Sequence, residues 1–169
     1  MKLLDFLTRG GKEMQLAGIK KHSMVNGPGV RCVVFFQGCP HHCDECQNPE
    51  TWDLKKGKEV EIESLLHELK SIRYLDGFTF SGGDPFFQPQ ALEALTKALK
   101  EDGQNIWVYT GYSMETLMEK FPNVLPYIDV VVDGRYDKTK ESALWRGSSN
   151  QRLVDVPKSL KSKKVICLD

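Results

Sequence analysis

The sequence predicts an α/β fold in which crossover helices join parallel strands. Strand-like and helix-like segments alternate along the chain, which is typical of parallel sheets. The chain has 169 residues, of which 40% are hydrophobic and 27% charged, enough for one domain with a buried core. We expect a single domain with its core at about residues 22–156, and terminal extensions at residues 1–21 and 157–169.

The first half of the chain contains two predicted strands and two predicted helices. Residues 30–36 read VRCVVFF, a β-branched and aromatic run that suits a buried strand. Apolar residues recur at helical spacing over residues 62–73. A second strand follows at residues 77–80. Pro89 then suits the first turn of a helix.

The second half continues the alternation. Residues 106–110 predict a strand, and Ser113 is placed to cap a short helix. Another buried strand is predicted at residues 128–132. Residues 152–156 and 164–168 are weaker strand candidates, and the second of these also reads as a tail.

Charge and hydropathy exclude two classes of partner. Lys+Arg and Asp+Glu both number 23, so no basic excess favours nucleic acid or an anionic membrane. The sequence has no run of about 18 apolar residues and no signal-peptide core. We therefore expect a cytoplasmic protein that binds neither nucleic acid nor membrane.

A polar or glycine-rich segment follows each predicted strand. These segments are residues 38–46, 81–85, 111–112 and 133–135. The carboxyl ends of parallel strands lie along one rim, where active sites are built. The sequence thus predicts one site that contains both its clustered cysteines and its glycines.

Three of the five cysteines are crowded together in the chain. Cys39, Cys43 and Cys46 are separated by three residues and then two, so a loop must wrap around any metal. Thiolates suit zinc or an iron–sulfur cluster, and a Cys3His zinc site with His41 or His42 is one alternative. Three ligands to a four-iron cluster would instead leave one iron open for catalysis.

The two remaining cysteines have simpler interpretations. Cys32 lies inside a predicted apolar strand and reads as a small buried hydrophobic residue. Cys167 reads as a thiol in the tail. Neither is placed to join the loop cysteines as a fourth ligand.

The cysteine loop, together with five other segments, resembles the radical S-adenosylmethionine enzymes and, within them, the activating proteins of anaerobic ribonucleotide reductases. These segments occur in family order: NGPGVR at residues 26–31, GCP at 38–40, NPETW at 48–52, SGGDP at 81–85, WVYTGY at 107–112 and RGSSNQR at 146–152. The resemblance covers roughly residues 26–156. It implies an open, shortened (β/α) partial barrel of four to six parallel strands.

The resemblance also implies a reaction. A 4Fe-4S cluster held by Cys39, Cys43 and Cys46 would bind S-adenosylmethionine at its open iron. One electron, from a donor such as flavodoxin, would cleave the cofactor to methionine and a 5′-deoxyadenosyl radical. That radical would take a hydrogen atom from a glycine of the partner, an anaerobic ribonucleoside-triphosphate reductase.

Further residues follow from the same resemblance. Contacts to S-adenosylmethionine are expected from Glu45, Gln47, Gly82, Gly83 and Asp84. Many radical S-adenosylmethionine enzymes have an aromatic residue where this chain has Glu45. The glycines lack Cβ and so let the backbone approach the cofactor closely.

Contacts with the partner are expected from Asn26, Arg31 and Arg146. Two other functions remain open at this point. One is a small-molecule enzyme similar to 7-carboxy-7-deazaguanine synthase. The other is a binding module, without catalysis, that zinc stabilises.

Overall fold

The computed structural model describes residues 12–44, 46 and 48–168. Its strands form one seven-stranded sheet in the order β3-β1-β2-β4-β5-β6-β7. The strands are β1 (Glu13–Ser23), β2 (Arg31–Phe36), β3 (Lys58–Glu61), β4 (Gly77–Gly82), β5 (Ile106–Tyr109), β6 (Val130–Asp133) and β7 (Arg152–Asp155).

Four neighbouring strands, β2, β4, β5 and β6, are parallel and form the centre of the sheet. Three helices follow the pattern predicted from the sequence: α1 (Ile62–Ser71), α2 (Pro89–Glu101) and α3 (Met114–Lys120). The helix α4 (Val156–Ser162) was not predicted, and it lies mostly within residues 157–169, which were expected to be a terminal extension. Ser113 caps α3 by accepting a hydrogen bond from the Thr116 amide. Within the described part of the chain, no helix is long and apolar enough to span a membrane.

The sheet is mixed, which corrects the expectation of parallel strands alone. Strand β1 pairs antiparallel with both β2 and β3, and β7 pairs antiparallel with β6. Strand β1 lies mostly within residues 1–21, which the sequence analysis assigned to an extension, yet its Met14 and Leu16 are buried in the core. Strand β7 is antiparallel because residues 134–151 return along β6 without a crossover helix.

The chain after α4 covers the outer side of β7. The Asp155 amide donates to the carbonyl of Ile166 at 2.8 Å, and the Leu168 amide donates to the carbonyl of Leu153 at 2.9 Å. A single bridge joins Val154 to Cys167. Residues 164–168 therefore form a tail, which was one of the two interpretations of the sequence, and hydrogen bonds hold this tail against β7.

The two faces of the sheet differ because side chains alternate along each strand. Ile106 and Val108 of β5 join the large apolar core that the helices cover. Trp107 of the same strand points to the other face, where a second cluster contains Val130, Val132 and Leu153. Tyr109, near the carboxyl end of β5, and Trp145 pack against this second cluster.

Arg31 is part of the protein interior and not of a partner surface, which corrects the sequence prediction. It begins β2, at the opposite end of the strand from the cysteine loop, and is 1% exposed. Its guanidinium donates to Thr79 Oγ1 at 2.8 Å and to the Phe78 and Asn105 carbonyls at 3.0 Å, and lies over the Trp107 ring. Burial lowers the Arg31 pKa to about 10, and these acceptors compensate for the lost water.

Candidate active site

A cavity of about 400 Å³ opens at the carboxyl ends of the parallel strands. Cys39, Cys43 and Cys46 all line it, together with Gly82 and Gly83 after β4. The loops after β5 and β6 complete the wall. The cysteines and glycines are therefore in one site, as the rule about strand ends predicts.

The cysteine loop is held closed at its base by backbone hydrogen bonds. The Gly38 amide donates to the Thr51 carbonyl at 2.6 Å, and the Cys39 amide donates to the Trp52 carbonyl at 3.2 Å. Gly38 has φ of +96°, a conformation that favours glycine. The start and end of the loop thus lie side by side, and the cysteines project from the arc between them.

Backbone amides already point at the cysteine sulfurs. Burial raises the pKa of Cys39 to about 11, against the opposing effect of hydrogen bonds from the amides of His41 and His42. The Asn48 amide donates to Cys46 Sγ at 3.4 Å. Without metal Cys39 is a protonated thiol, so a metal that binds there must displace a proton.

The donor set fits an iron–sulfur cluster. All three loop cysteines are free thiols, and no carboxylate belongs to the described lining of the cavity. Soft thiolates without oxygen ligands are typical of iron–sulfur sites. Across residues 12–44, 46 and 48–168, no three His, Cys, Asp or Glu side chains are gathered around a point that could hold a single metal ion.

Gly82 and Gly83 line the cavity, but glycine is needed at both positions because a side chain would collide with the backbone behind the cavity wall. Gly82 has φ of +106°, and a Cβ there would collide with the Phe36 backbone. A Cβ on Gly83 would collide with the Gly38 carbonyl and approach the Thr51 carbonyl at 3.0 Å. The glycine pair therefore lets the end of β4 pack against the base of the cysteine loop.

Asp84, expected among the cofactor contacts, faces three protein loops and not the cavity. It is 0% exposed. Its carboxylate accepts hydrogen bonds from His41 Nε2 at 2.6 Å, Thr110 Oγ1 at 2.8 Å, the Gly111 amide at 2.9 Å and the Phe86 amide at 3.0 Å. These four donors occupy the carboxylate within the protein.

The remaining sequence-predicted residues divide into three groups. Asn26 and Arg146 line the cavity, and their contact with the partner remains a prediction. Arg31 lies at the opposite end of β2 and does not line the cavity. Glu45 and Gln47 fall outside the described residues, and their contacts to a cofactor remain a prediction.

An aromatic wall that the sequence analysis did not assign to the site completes the cavity. Phe35, Tyr109, Tyr136 and Trp145 line it. Tyr109 Oη donates to the Trp145 carbonyl at 2.6 Å, and the Trp145 ring packs edge-on against Trp107, 5.3 Å between centroids. The alternation of side chains in β5 was the available signal, since Trp107 and Tyr109 share one face.

Comparison with known proteins agrees with this donor set. Residues 25–154 match a family model described as a 4Fe-4S single cluster domain. A crystal structure of QueE from Escherichia coli aligns with a TM-score of 0.49 and 18% identity, covering 66% of this chain and 57% of that one. That structural similarity is too weak to support an inference.

Three relatives are anaerobic ribonucleoside-triphosphate reductase-activating proteins. That of Enterobacteria phage T4 is 38% identical over 137 residues, covering 76% of this chain and 86% of the relative. That of Haemophilus influenzae is 37% identical over 139 residues, covering 76% and 89%, and that of Escherichia coli K12 is 38% identical over 139 residues, covering 76% and 90%. Because the similarity to these relatives spans most of both chains, and the matched 4Fe-4S family model spans the cysteine loop, the protein belongs to the family of anaerobic ribonucleoside-triphosphate reductase-activating proteins.

Proposed function

We propose that this protein is a radical S-adenosylmethionine enzyme that installs a glycyl radical in an anaerobic ribonucleoside-triphosphate reductase. The observation that carries the proposal is the convergence of Cys39, Cys43 and Cys46 on one cavity at the strand ends, in a chain of this family. When bound, a 4Fe-4S cluster with one open iron supplies an electron to S-adenosylmethionine, and the broken carbon–sulfur bond gives methionine and a 5′-deoxyadenosyl radical.

The chain itself holds and shields the reactants. The three thiolates bind the cluster, and backbone amides directed at Cys39 and Cys46 support their negative charge. The backbone of Gly82 and Gly83 offers polar groups on the same wall. Tyr109 and Trp145 place aromatic ring surface in the wall of the cavity, which limits the access of water to a reactive radical formed there.

The partner's glycine must come close to the radical, because hydrogen transfer depends on proximity and orientation. Val25 and Arg146 line the cavity, and Val25 itself, with Met24 and Leu144 near these residues in the chain, is a large apolar side chain exposed to solvent. We assign this rim, defined as residues 24–26 and 143–147, to the contact with the reductase. A glycine placed at this rim would lose its hydrogen atom to the 5′-deoxyadenosyl radical, giving 5′-deoxyadenosine and a glycyl radical.

The proposal is tested with protein reconstituted with iron and sulfide without oxygen. Reduced protein, S-adenosylmethionine and a matched anaerobic reductase should together give 5′-deoxyadenosine and the doublet of a glycyl radical in electron paramagnetic resonance. Flavodoxin and a chemical reductant are compared as electron donors. Cleavage of the cofactor with no radical on the reductase, accompanied by consumption of a purine-like compound, would instead identify a small-molecule enzyme.

Single cysteine variants test the ligands. Cys39→Ala, Cys43→Ala and Cys46→Ala should each lose the brown chromophore and the radical, because a cluster with two thiolates leaves two irons without protein ligands. Cys167→Ala is the matched control and should keep both, because Cys167 lies in the tail, where it pairs with Val154 of β7, and does not line the cavity. A colourless parent protein that binds zinc would support the alternative of a zinc-stabilised module.

A further inference from the structure

We propose that His41 and Asp84 form a positioning pair that fixes the cysteine loop and places a negative charge next to the cluster. The inference rests on the proposed function, since it concerns the cluster that the loop would hold. In this view Asp84 acts by orienting His41 and by the electrostatic effect of its negative charge on the cluster, and it does not contact S-adenosylmethionine. His41 is correspondingly not a metal ligand.

The geometry of the pair supports this role. His41 stands between two of the three proposed ligands, Cys39 and Cys43, and its Nε2 donates to Asp84 Oδ2 at 2.6 Å. The two side chains are only 7% and 1% exposed. A short hydrogen bond to a carboxylate that water cannot reach is among the strong ones in proteins. It fixes the middle of the loop at a point that the backbone bonds at Gly38 and Cys39 do not reach.

The His41 ring also fits a space shaped for it. Its edge packs against Tyr112 with 4.5 Å between ring centroids and an interplanar angle of 77°. Gly111 leaves the room on the other side, since a Cβ there would lie 2.5 Å from His41 Cδ2. The ring is therefore held by its hydrogen bond and by contacts with the loop after β5.

Asp84 is held as firmly as the ring that it orients. The Thr110 hydroxyl and the Gly111 amide, both after β5, donate to its carboxylate at 2.8 and 2.9 Å, and the Phe86 amide donates at 3.0 Å. One carboxylate thus joins the loops after β2, β4 and β5. Removing the carboxylate acceptor at Asp84 would therefore also release His41, which lies between Cys39 and Cys43.

The charge of Asp84 also lies beside the loop that would hold the cluster. Its carboxylate is 2.6 Å from Nε2 of His41, the residue midway between Cys39 and Cys43, and both side chains are buried. A buried negative charge next to a cluster opposes an added electron on its iron. Neutralising Asp84 should therefore make the cluster easier to reduce.

The experiment measures the cluster in the absence of both reductase and S-adenosylmethionine. Asp84→Asn should keep a four-iron cluster but shift its midpoint potential in the positive direction. Asp84→Asn and His41→Gln should each speed the loss of iron to a chelator by about fivefold, the scale of one buried hydrogen bond. The double variant should lose iron no faster than either single variant, because the two residues act as one unit.

Asp133→Asn is the matched control, because Asp133 is another buried aspartate at a strand end but bonds to Met114 and Arg152. Its potential should equal that of the parent. If Asp84→Asn does not fold, Gly111→Ala tests the same contact by pressing on the His41 ring, and should also speed iron loss.

Three results would overturn the pair. The first is an unchanged potential in Asp84→Asn, and the second is additive rates of iron loss in the double variant. The third is an Asp84→Asn variant that retains iron like the parent but binds S-adenosylmethionine more than about tenfold more weakly, roughly the loss of one charge-assisted hydrogen bond. That result would make Asp84 a direct cofactor contact. A parent protein that binds no iron–sulfur cluster would instead overturn the proposed function, and the inference with it.

Discussion

Cys32 differs chemically from the three cysteines of the loop. It lies in the middle of the sheet, 0% exposed, with its side chain in the core that the helices cover. Burial raises its pKa to about 12, so the thiol stays neutral inside the folded protein. Its role is that of an apolar side chain.

Replacing Cys32 by Val should change the alkaline stability of the metal-free protein. Between pH 9 and pH 12 the unfolded chain loses the Cys32 proton and the folded chain keeps it, given pKa values of 9.0 and about 12. The folded state then binds more protons, so the free energy of unfolding falls as pH rises through this window, by at most about 1.4 kcal/mol per pH unit.

Urea unfolding under reducing conditions at pH 8, 9.5 and 11 measures this dependence. Cys32→Val should have nearly the parent's stability at pH 8 and a shallower decline above pH 9. An equally steep decline in parent and variant would show that Cys32 ionises in the folded state.

Arg31 illustrates what the sequence could not predict at the scale of residues. An arginine next to glycines and proline reads as exposed, and its resemblance to a family motif suggested a partner contact. The structure instead satisfies it with the Asn105 side chain and carbonyl, 74 residues away in the chain. Nothing local in the sequence indicates that these two residues meet.

One arginine joins three elements at the end of the sheet. Arg152 at the start of β7 donates to Asp133 Oδ2 of β6 at 2.5 Å and to Glu115 Oε2 of α3 at 2.7 Å. Asp133 in turn accepts from the Met114 amide at 2.7 Å, at the first turn of α3. Hydrogen bonds to Asp133 and then to Glu115 raise the pKa of Arg152.

The two carboxylates should have unequal importance, because Asp133 is buried and Glu115 is 60% exposed. Glu115→Gln should cost less than about 1 kcal/mol at neutral pH. Arg152→Met leaves Asp133 buried without its charged partner and should cost about 3 kcal/mol or more. Urea unfolding of the two variants compares them directly, and equal losses would contradict this division.

The pH dependence gives a second test of the exposed partner. The hydrogen bond from Arg152 holds the pKa of Glu115 below its ordinary value. The stabilisation is therefore present above the ordinary pKa of a glutamate and is lost as pH falls through the lowered value. The difference between parent and Glu115→Gln should disappear in acid, and a difference that persists there would assign it to packing.

The central strands and the first three helices were predictable, and the edge strand β7 was a weak candidate, whereas β1 and the edge strand β3 were not predicted. Long apolar runs and helical spacing marked β2, α1 and α2, whose sides are buried. Strand β1 reads EMQLAGIKKHS and buries little beyond its first half, so its apolar signal is short. Strand β3 reads KEVE and is mostly exposed, which is usual for an edge.

The molecule presents different surfaces at the two ends of its parallel strands. The cavity and its rim lie at the carboxyl ends, with Leu144 66% exposed in the loop between β6 and β7. Tyr74, 90% exposed, precedes β4 and so lies at the amino end. The two side chains are both apolar, both solvated and on opposite ends of the sheet.

This pair tests the proposed contact with the reductase. Leu144→Glu should weaken activation of the reductase at least about tenfold, the scale of one well-packed contact, because a charge on the rim must be desolvated there. Uncoupled cleavage of S-adenosylmethionine should stay as in the parent. Tyr74→Glu should leave both unchanged, and a loss of activation in Tyr74→Glu would locate the contact elsewhere.

The location of the site at the strand ends was predictable from the sequence, but the hydrogen-bond partners inside the site were not. Glycine-rich segments after successive strands were enough to bring the cysteines and Gly82 to one rim. The role of Asp84 depends on a histidine 43 residues earlier and a threonine 26 residues later. Such distant partners are settled only when the strands are in register.

The borders of the sheet determine how the protein behaves when concentrated. Unpaired strand edges invite other copies to add on and extend the sheet. Here one border is β3, whose Lys58, Glu59 and Glu61 keep charges beside the open backbone, and the other is β7, whose outer groups are taken by residues 166–168. Sheet-to-sheet polymerisation is thus disfavoured on both sides, and the cavity rim can remain apolar without the whole molecule becoming prone to aggregation.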